Sequence, residues 1–203
     1  MKIQPTDVFI VVDVQTDFVS GSLAIPGADA IIDPINATAA LFDHIVVATD
    51  WHPADHVSFA STHGKARGEV IDTPYGPQGV HADHCVQGTP GAELDPRLNL
   101  TRAELILRKG YRRDVDSYSA FRENDGATTG LGAYLHARGF ERVFCAGLAR
   151  YVCVLQTALG AAADGFESYV LRDASAGDRD VEENDRKAAD AGVRWINTSD
   201  LTA

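Results

Sequence analysis

Cysteine is scarce in this chain: only Cys85, Cys145 and Cys153 occur in 203 residues. Three thiols do not make the disulfide framework of a small secreted fold, so they read as free cysteines of a reducing cytoplasm. Basic residues are also few, with 18 lysines and arginines against 29 aspartates and glutamates, a net charge of −11. A chain of that sign is repelled by phosphate backbones and anionic headgroups, which argues against nucleic acid or membrane as a partner. No apolar run approaches the roughly 18–20 residues that a membrane span needs. The opening Met1-Lys-Ile-Gln-Pro-Thr-Asp7 lacks the pattern of a secretory leader. Internal repeats, low-complexity tracts and linkers are absent as well. What remains, 45% hydrophobic and 23% charged, suits one globular domain over residues 1–203 with a sizeable core. A homo-oligomer stays open.

The periodicity alternates between short apolar runs and helical spacing. Strands are expected at 7–12, 44–49, 105–108, 142–147, 167–171 and 193–196, with helices at 28–42 (despite Pro34), 129–138, 152–164 and 179–191. That order predicts a three-layer α/β/α fold around a six-stranded, mainly parallel sheet. Residues 51–104 are rich in Gly, Pro and His and weak in periodicity, which reads as a long functional loop region with short elements.

Chemistry collects where the strands end. Asp13, Asp50 and Lys109 each close an apolar run, and Cys153 follows the Gly147 turn at the start of a helical pattern. In open parallel sheets that edge binds ligands. A helix N-terminus and a lysine both favour a thiolate, whereas a carboxylate beside the thiol raises its pKa but can accept its proton. Asp13, Lys109 and Cys153 therefore make a base, a cation and a nucleophile. A second set is Asp50-Trp51-His52, where residues two apart share a face, joined by His84. Asp/His/His with open positions suits a first-row transition metal. His56, in the same loop, is the next candidate to reach the metal or its surroundings. Cys85 is left out, because adjacent side chains of an extended chain diverge.

Read together and in order, the motifs resemble nicotinamidases (pyrazinamidase-like) of the isochorismatase-like cysteine hydrolase superfamily. They are Val12-Asp13-Val14-Gln15-Thr16-Asp17-Phe18, Thr49-Asp50-Trp51-His52 through Ser58-Phe59-Ala60, and Asp83-His84-Cys85-Val86-Gln87-Gly88-Thr89-Pro90-Gly91, then Lys109-Gly110, Asp116-Ser117-Tyr118-Ser119-Ala120-Phe121, and Gly147-Leu148-Ala149 ending in Cys153-Val154. The resemblance covers nearly the whole length. It implies an isochorismatase-like hydrolase fold and a metal-dependent amidohydrolase that converts nicotinamide to nicotinate and ammonia through a thioester. A small-molecule amide is then the partner. The roles implied are Cys153 as nucleophile, Asp13 as general acid and base, Lys109 as third member, and the backbone N–H groups of Ala149 and Cys153 as an oxyanion hole. A cis peptide is implied before Ala149. Asp50, His52 and His84 would hold one divalent ion, zinc first, with iron or manganese as alternatives. Phe18 would line the substrate ring, and His81, Tyr118 and Arg150 are the other expected substrate contacts.

Two departures stand out. His81-Ala82 replaces a usual Trp-Pro, and Arg150-Tyr151-Val152 replaces a Thr-Asp-Tyr-like turn. Arg150 is either a surface charge, unfavourable against the helix dipole, or a cation for a substrate carboxylate. The runner-up activity is accordingly a related amidohydrolase acting on another heteroaromatic or acidic amide. An inactive pyridine-binding protein would have no need of the Asp13, Lys109 and Cys153 set.

Overall fold

The computed structural model describes residues 1–203. The first apolar run forms β1 (Asp7–Val12), buried throughout. It leads to α1 (Thr16–Val19), a 3-10 turn (Ala28–Ile31) and α2 (Ile32–Ala39). The helix expected over 28–42 is thus shorter and begins as a 3-10 turn. Pro34 is tolerated because it stands in the first turn of α2, where a backbone N–H has no intrahelical acceptor to lose. β2 (His44–Asp50) follows, then α3 (Ala60–His63) and an antiparallel hairpin of β3 (Val70–Thr73) and β4 (Gly76–Gly79). This hairpin lies inside the stretch read as loop. The remainder is β5 (Leu105–Lys109), α4 (Leu131–Ala137), β6 (Arg142–Gly147), α5 (Leu155–Ala163), β7 (Glu167–Ser175), α6 (Val181–Asp190) and β8 (Arg194–Ile196). β7 continues past its expected end at Leu171.

The six strands lie in the order β5-β2-β1-β6-β7-β8, and every neighbouring pair is parallel. The chain steps outward from β1 through β2 to β5, then returns to the other side of β1 and steps outward through β6 and β7 to β8. The order reverses between β1 and β6, and the crevice at that reversal is the usual ligand site of such sheets. Alternate residues divide the core. Phe9, Val11, Ile45 and Val47 face Ile32 and Ile35 of α2. Val8, Ile10, Val46 and Ala48 face Leu131 and Leu135 of α4, Leu155 and Ala158 of α5, and Ala188 of α6. Burial on both faces is why β1 reads as an unbroken apolar run. Each such side chain contributes about 1.5–3 kcal/mol.

Gly147 sets the geometry at the crevice. Its φ is 126°, and a Cβ there would stand 2.1 Å from the Val12 carbonyl oxygen. Only glycine lets β6 end this close to β1.

Candidate active site

Four adjacent strands deliver the charged groups. The register pairs Asp50 with Lys109 and Val12 with Gly147, so Lys109, Asp50, Asp13 and the Cys153 turn converge at one edge. Lys109 is fully buried. Its Nζ lies 2.5 Å from Asp50 Oδ1, 2.8 Å from Asp13 Oδ2 and 3.6 Å from Cys153 Sγ, and donates to the Ser117 carbonyl at 3.0 Å. The Asp13 contact is an ion pair without hydrogen-bond alignment, which leaves both Asp13 oxygens buried and without a hydrogen bond. Asp13 also adopts a left-handed φ of 53°, uncommon outside glycine and a frequent mark of functional positions.

The electrostatics follow from burial. Desolvation, then the Asp50 charge, pushes the Asp13 carboxyl up to about 7 against the opposing pull of Lys109. Burial also carries the Cys153 thiol well above its ordinary value; Lys109 opposes this, while Asp13 and Asp50 add to it. Cys153 sits in the π-type turn Arg150–Val154 that opens the helix and runs on into α5, as expected, yet desolvation outweighs the helix terminus and the single cation, so the thiolate is not favoured. Lys109 goes up despite burial, because Asp13, Asp50 and Cys153 surround it. For Asp50 burial works upward, yet Lys109 and His52 hold it below the carboxylate range.

The Asp/His/His set is brought together. His52 Nε2 and His84 Nε2 lie 3.4 and 3.9 Å from Asp50 Oδ2, and all three side chains are buried. The Nδ1 of His52 is 2.8 Å from the Gly110 carbonyl, and that of His84 is 2.7 Å from the Ala82 carbonyl. Donation from Nδ1 leaves each Nε2 as a lone pair, the form that ligates a metal. His52 Nε2 is buried with no hydrogen-bond partner. Burial and then His52 push His84 down to about 4. His52 alone goes up: burial opposes its charge, but Asp50 more than offsets it. Two imidazole nitrogens and a carboxylate oxygen, buried and within reach of one another, make a donor set that fits a divalent transition metal. Gln15, which ligates nothing itself, holds the end of β2 in place. Its Nε2 donates to the Asp50 carbonyl at 2.8 Å and its Oε1 accepts from the Asp50 N–H at 2.8 Å. His56 stacks on His52 at 4.1 Å and bonds Ser58 Oγ and the Val115 carbonyl. It lies near His52 and Asp116 rather than with Asp50 and His84.

A cavity of about 530 Å³ opens beside both clusters, lined among others by Phe18, His81, Tyr118, Ala149, Val152 and Cys153. The peptide between Leu148 and Ala149 is cis. Cys85, left out of the ligand set, is buried in the core on the α2 side. Arg150 requires a correction. It points into a different cleft, where its guanidinium meets Asp178 and the Ser175 carbonyl, so it does not face the cavity as a substrate cation. The cation at the mouth is Arg179, which no sequence signal singled out. Asp116, buried and also lining the cavity, stood in a quoted motif without a role. Its carboxylate accepts from Gln78 of β4 at 2.9 Å, a contact set by the β3–β4 hairpin.

Comparison with known proteins agrees with this arrangement. Residues 7–194 match the isochorismatase domain family. A nicotinamidase of Acinetobacter baylyi is 52% identical over 168 residues, covering 81% of this chain and 78% of the relative. The structure of PnC1 from L. infantum in complex with nicotinate superposes with a TM-score of 0.89 at 38% identity, covering 100% of this chain and 98% of that one. A pyrazinamidase of Pyrococcus horikoshii in complex with zinc gives a TM-score of 0.77 at 34% identity, covering 95% and 99%. The chain belongs to the isochorismatase domain family, on its nicotinamidase branch.

Proposed function

We propose that this chain hydrolyses nicotinamide to nicotinate and ammonia, with Cys153 as nucleophile, Asp13 as general acid and base, and Lys109 as the cation between them. The observation that carries the reading is the buried contact of Lys109 with Asp13 and Cys153 beside the Asp50, His52 and His84 set, on one cavity. Asp13 with a carboxyl near 7 is matched to moving a proton in both directions near neutral pH. It takes the Cys153 proton as sulfur attacks the carboxamide carbon. The oxyanion is met by the backbone N–H groups of Ala149 and Cys153. Asp13 then gives its proton to the amine, the C–N bond breaks, and ammonia leaves a thioester. Asp13 next takes a proton from water, hydroxide adds to the thioester, and the sulfur departs and regains a proton. Lys109 stays charged throughout and keeps the two carboxylates from repelling each other.

Asp50, His52 and His84 would hold a divalent transition metal, zinc first, which supplies a Lewis-acidic anchor for the ring nitrogen. Phe18 and Tyr118 would flank the ring, with His81 in place of a stacking indole. Three free cysteines, all buried, fit a reducing cytoplasm, and the reaction fits nicotinamide recycling for NAD by the single domain 1–203. Ammonia release from nicotinamide by the purified protein, before and after chelation and metal restoration, tests the reading. Fast release that disappears on chelation and returns with metal supports it; no release from metal-loaded protein overturns it.

A further inference from the structure

Arg150 precedes the nucleophile by three residues, yet its side chain leaves the cavity. Its Nη2 and Nε both donate to the Ser175 carbonyl, at 2.5 and 3.1 Å, and its Nη1 donates to Asp178 Oδ1 at 2.5 Å. Two backbone bonds run alongside: Arg150 N–H donates to the Ala176 carbonyl at 2.6 Å, and Ala176 N–H to the Gly147 carbonyl at 3.2 Å. Gly177 lies so close that a Cβ on it would sit 3.0 Å from Ala149 Cβ, at a φ of 91°. Segment 175–178 is therefore packed against the back of the Gly147–Arg150 turn. Next to it, Tyr151 Oη donates to Asp185 Oδ1 at 3.2 Å and accepts from Arg172 at 3.0 Å. The turn is tied by two side chains to β7, the segment after it, and α6. Neither side chain touches the cavity through its charged or hydroxyl end.

We propose that Arg150 is a positioning residue, which fixes the Ala149 N–H and Cys153 in register by clamping the Gly147–Arg150 turn to residues 175–178. This rests on the reading of Cys153 as nucleophile and Ala149 as oxyanion donor. A planar guanidinium that grips one carbonyl with two donors and a carboxylate with a third leaves the turn little freedom. An oxyanion donor is effective only within tenths of an ångström of its target. The ion pair with Asp178 also compensates a cation placed at the start of a helix.

The test uses Arg150→Ala and Arg150→Lys in the metal-loaded enzyme, with two probes. Pyridine-3-carbaldehyde adds the Cys153 sulfur and needs the oxyanion donor; nicotinate fills the same cavity without forming a tetrahedral adduct. In Arg150→Ala, kcat is expected to fall ~10- to 100-fold and aldehyde inhibition to weaken by a similar factor. KM for nicotinamide and inhibition by nicotinate should move less than twofold. Lysine, which can reach Asp178 but cannot grip the carbonyl twice, should recover part of kcat. Should Arg150→Ala not fold, Asp178→Ala, which removes one of the two anchors, is expected to show a smaller loss with the same split. Unchanged kcat, or equal weakening of both probes, overturns the proposal. Selective loss of nicotinate binding would instead make Arg150 a carboxylate contact and overturn it too. Wild-type enzyme that turns over nicotinamide but resists the aldehyde would strike the underlying role of Cys153.

Discussion

Two buried polar clusters share Asp50 and are built on opposite principles. Around Lys109 a single cation meets Asp13, Asp50 and Cys153, and positive and negative charge are both supplied by the chain. Around His52 the chain supplies donors only: two imidazoles with their Nδ1 positions engaged, and a buried Nε2 with no partner. In the first cluster the cation is a protein group, although both Asp13 oxygens lack a hydrogen bond, while the second is a set of lone pairs shaped for a cation. Both cost desolvation. The difference teaches that the same strand-end carboxylate is counter-ion to Lys109 on one side and stands within reach of two imidazole nitrogens on the other.

The comparison can be broken most sharply at Cys153, the proposed nucleophile. Cys153→Ala should lower kcat for ammonia release by at least about ten-thousand-fold while nicotinate binding, followed by calorimetry, stays in place. Retained turnover would remove the thiol from the mechanism. Lys109→Met leaves two buried carboxylates facing each other. It should cost about 3–5 kcal/mol in denaturant unfolding, and a loss under 1 kcal/mol would mean that the cluster is not held by its cation. Gln15→Ala tests the ligand side, since it frees both backbone groups of Asp50. Metal affinity in a competitive chelator titration should fall about 10- to 100-fold, with little change in the Lys109 contacts.

The pH dependence sharpens the contrast further. Asp13 lies above its ordinary 3.8, at about 7, so between those values the folded chain holds a proton that the unfolded chain has released. That contribution to stability is present at low pH and is lost as pH rises through 7. Activity runs the other way, because the base must be ionised. The acid limb of kcat/KM should fall tenfold per pH unit below an apparent pKa near 7, and a flat profile from 5 to 8 would exclude Asp13 as the base. The smallest effect belongs to the exposed pair of Arg113 and Asp55, 59% and 61% accessible. Arg113→Ala should leave the urea unfolding midpoint within the scatter of the measurement, and a clear shift would show that surface pairs matter here as buried ones do.

Much of this was legible beforehand. The six strands and the carboxylates at their ends follow from apolar runs that stop at a charged residue, and the Asp50-x-His52 spacing follows from the two-residue period of extended chain. The hairpin of β3 and β4 was not, because Gly76-Pro77-Gln78-Gly79 carries almost no strand propensity and is held by tertiary contacts such as Gln78 with Asp116. Arg150 was misdirected for a similar reason: nothing in its neighbours along the chain reveals that Ser175 and Asp178 lie behind it. The thiol's environment was misjudged because a nearby cation is visible in sequence order and complete desolvation is not.

The reversal of strand order between β1 and β6 carries a consequence for biogenesis. Asp13 and Cys153 meet only after β1 pairs with a strand whose residues lie 135 positions away, as Arg142 does from Asp7. Closing so long a loop is among the slower events of folding. A chain emerging from the ribosome can therefore hold β1 and β2 well before it has a reactive centre. The Asp13, Lys109 and Cys153 cluster is complete only once β5, β2, β1 and β6 stand side by side, four of the six strands.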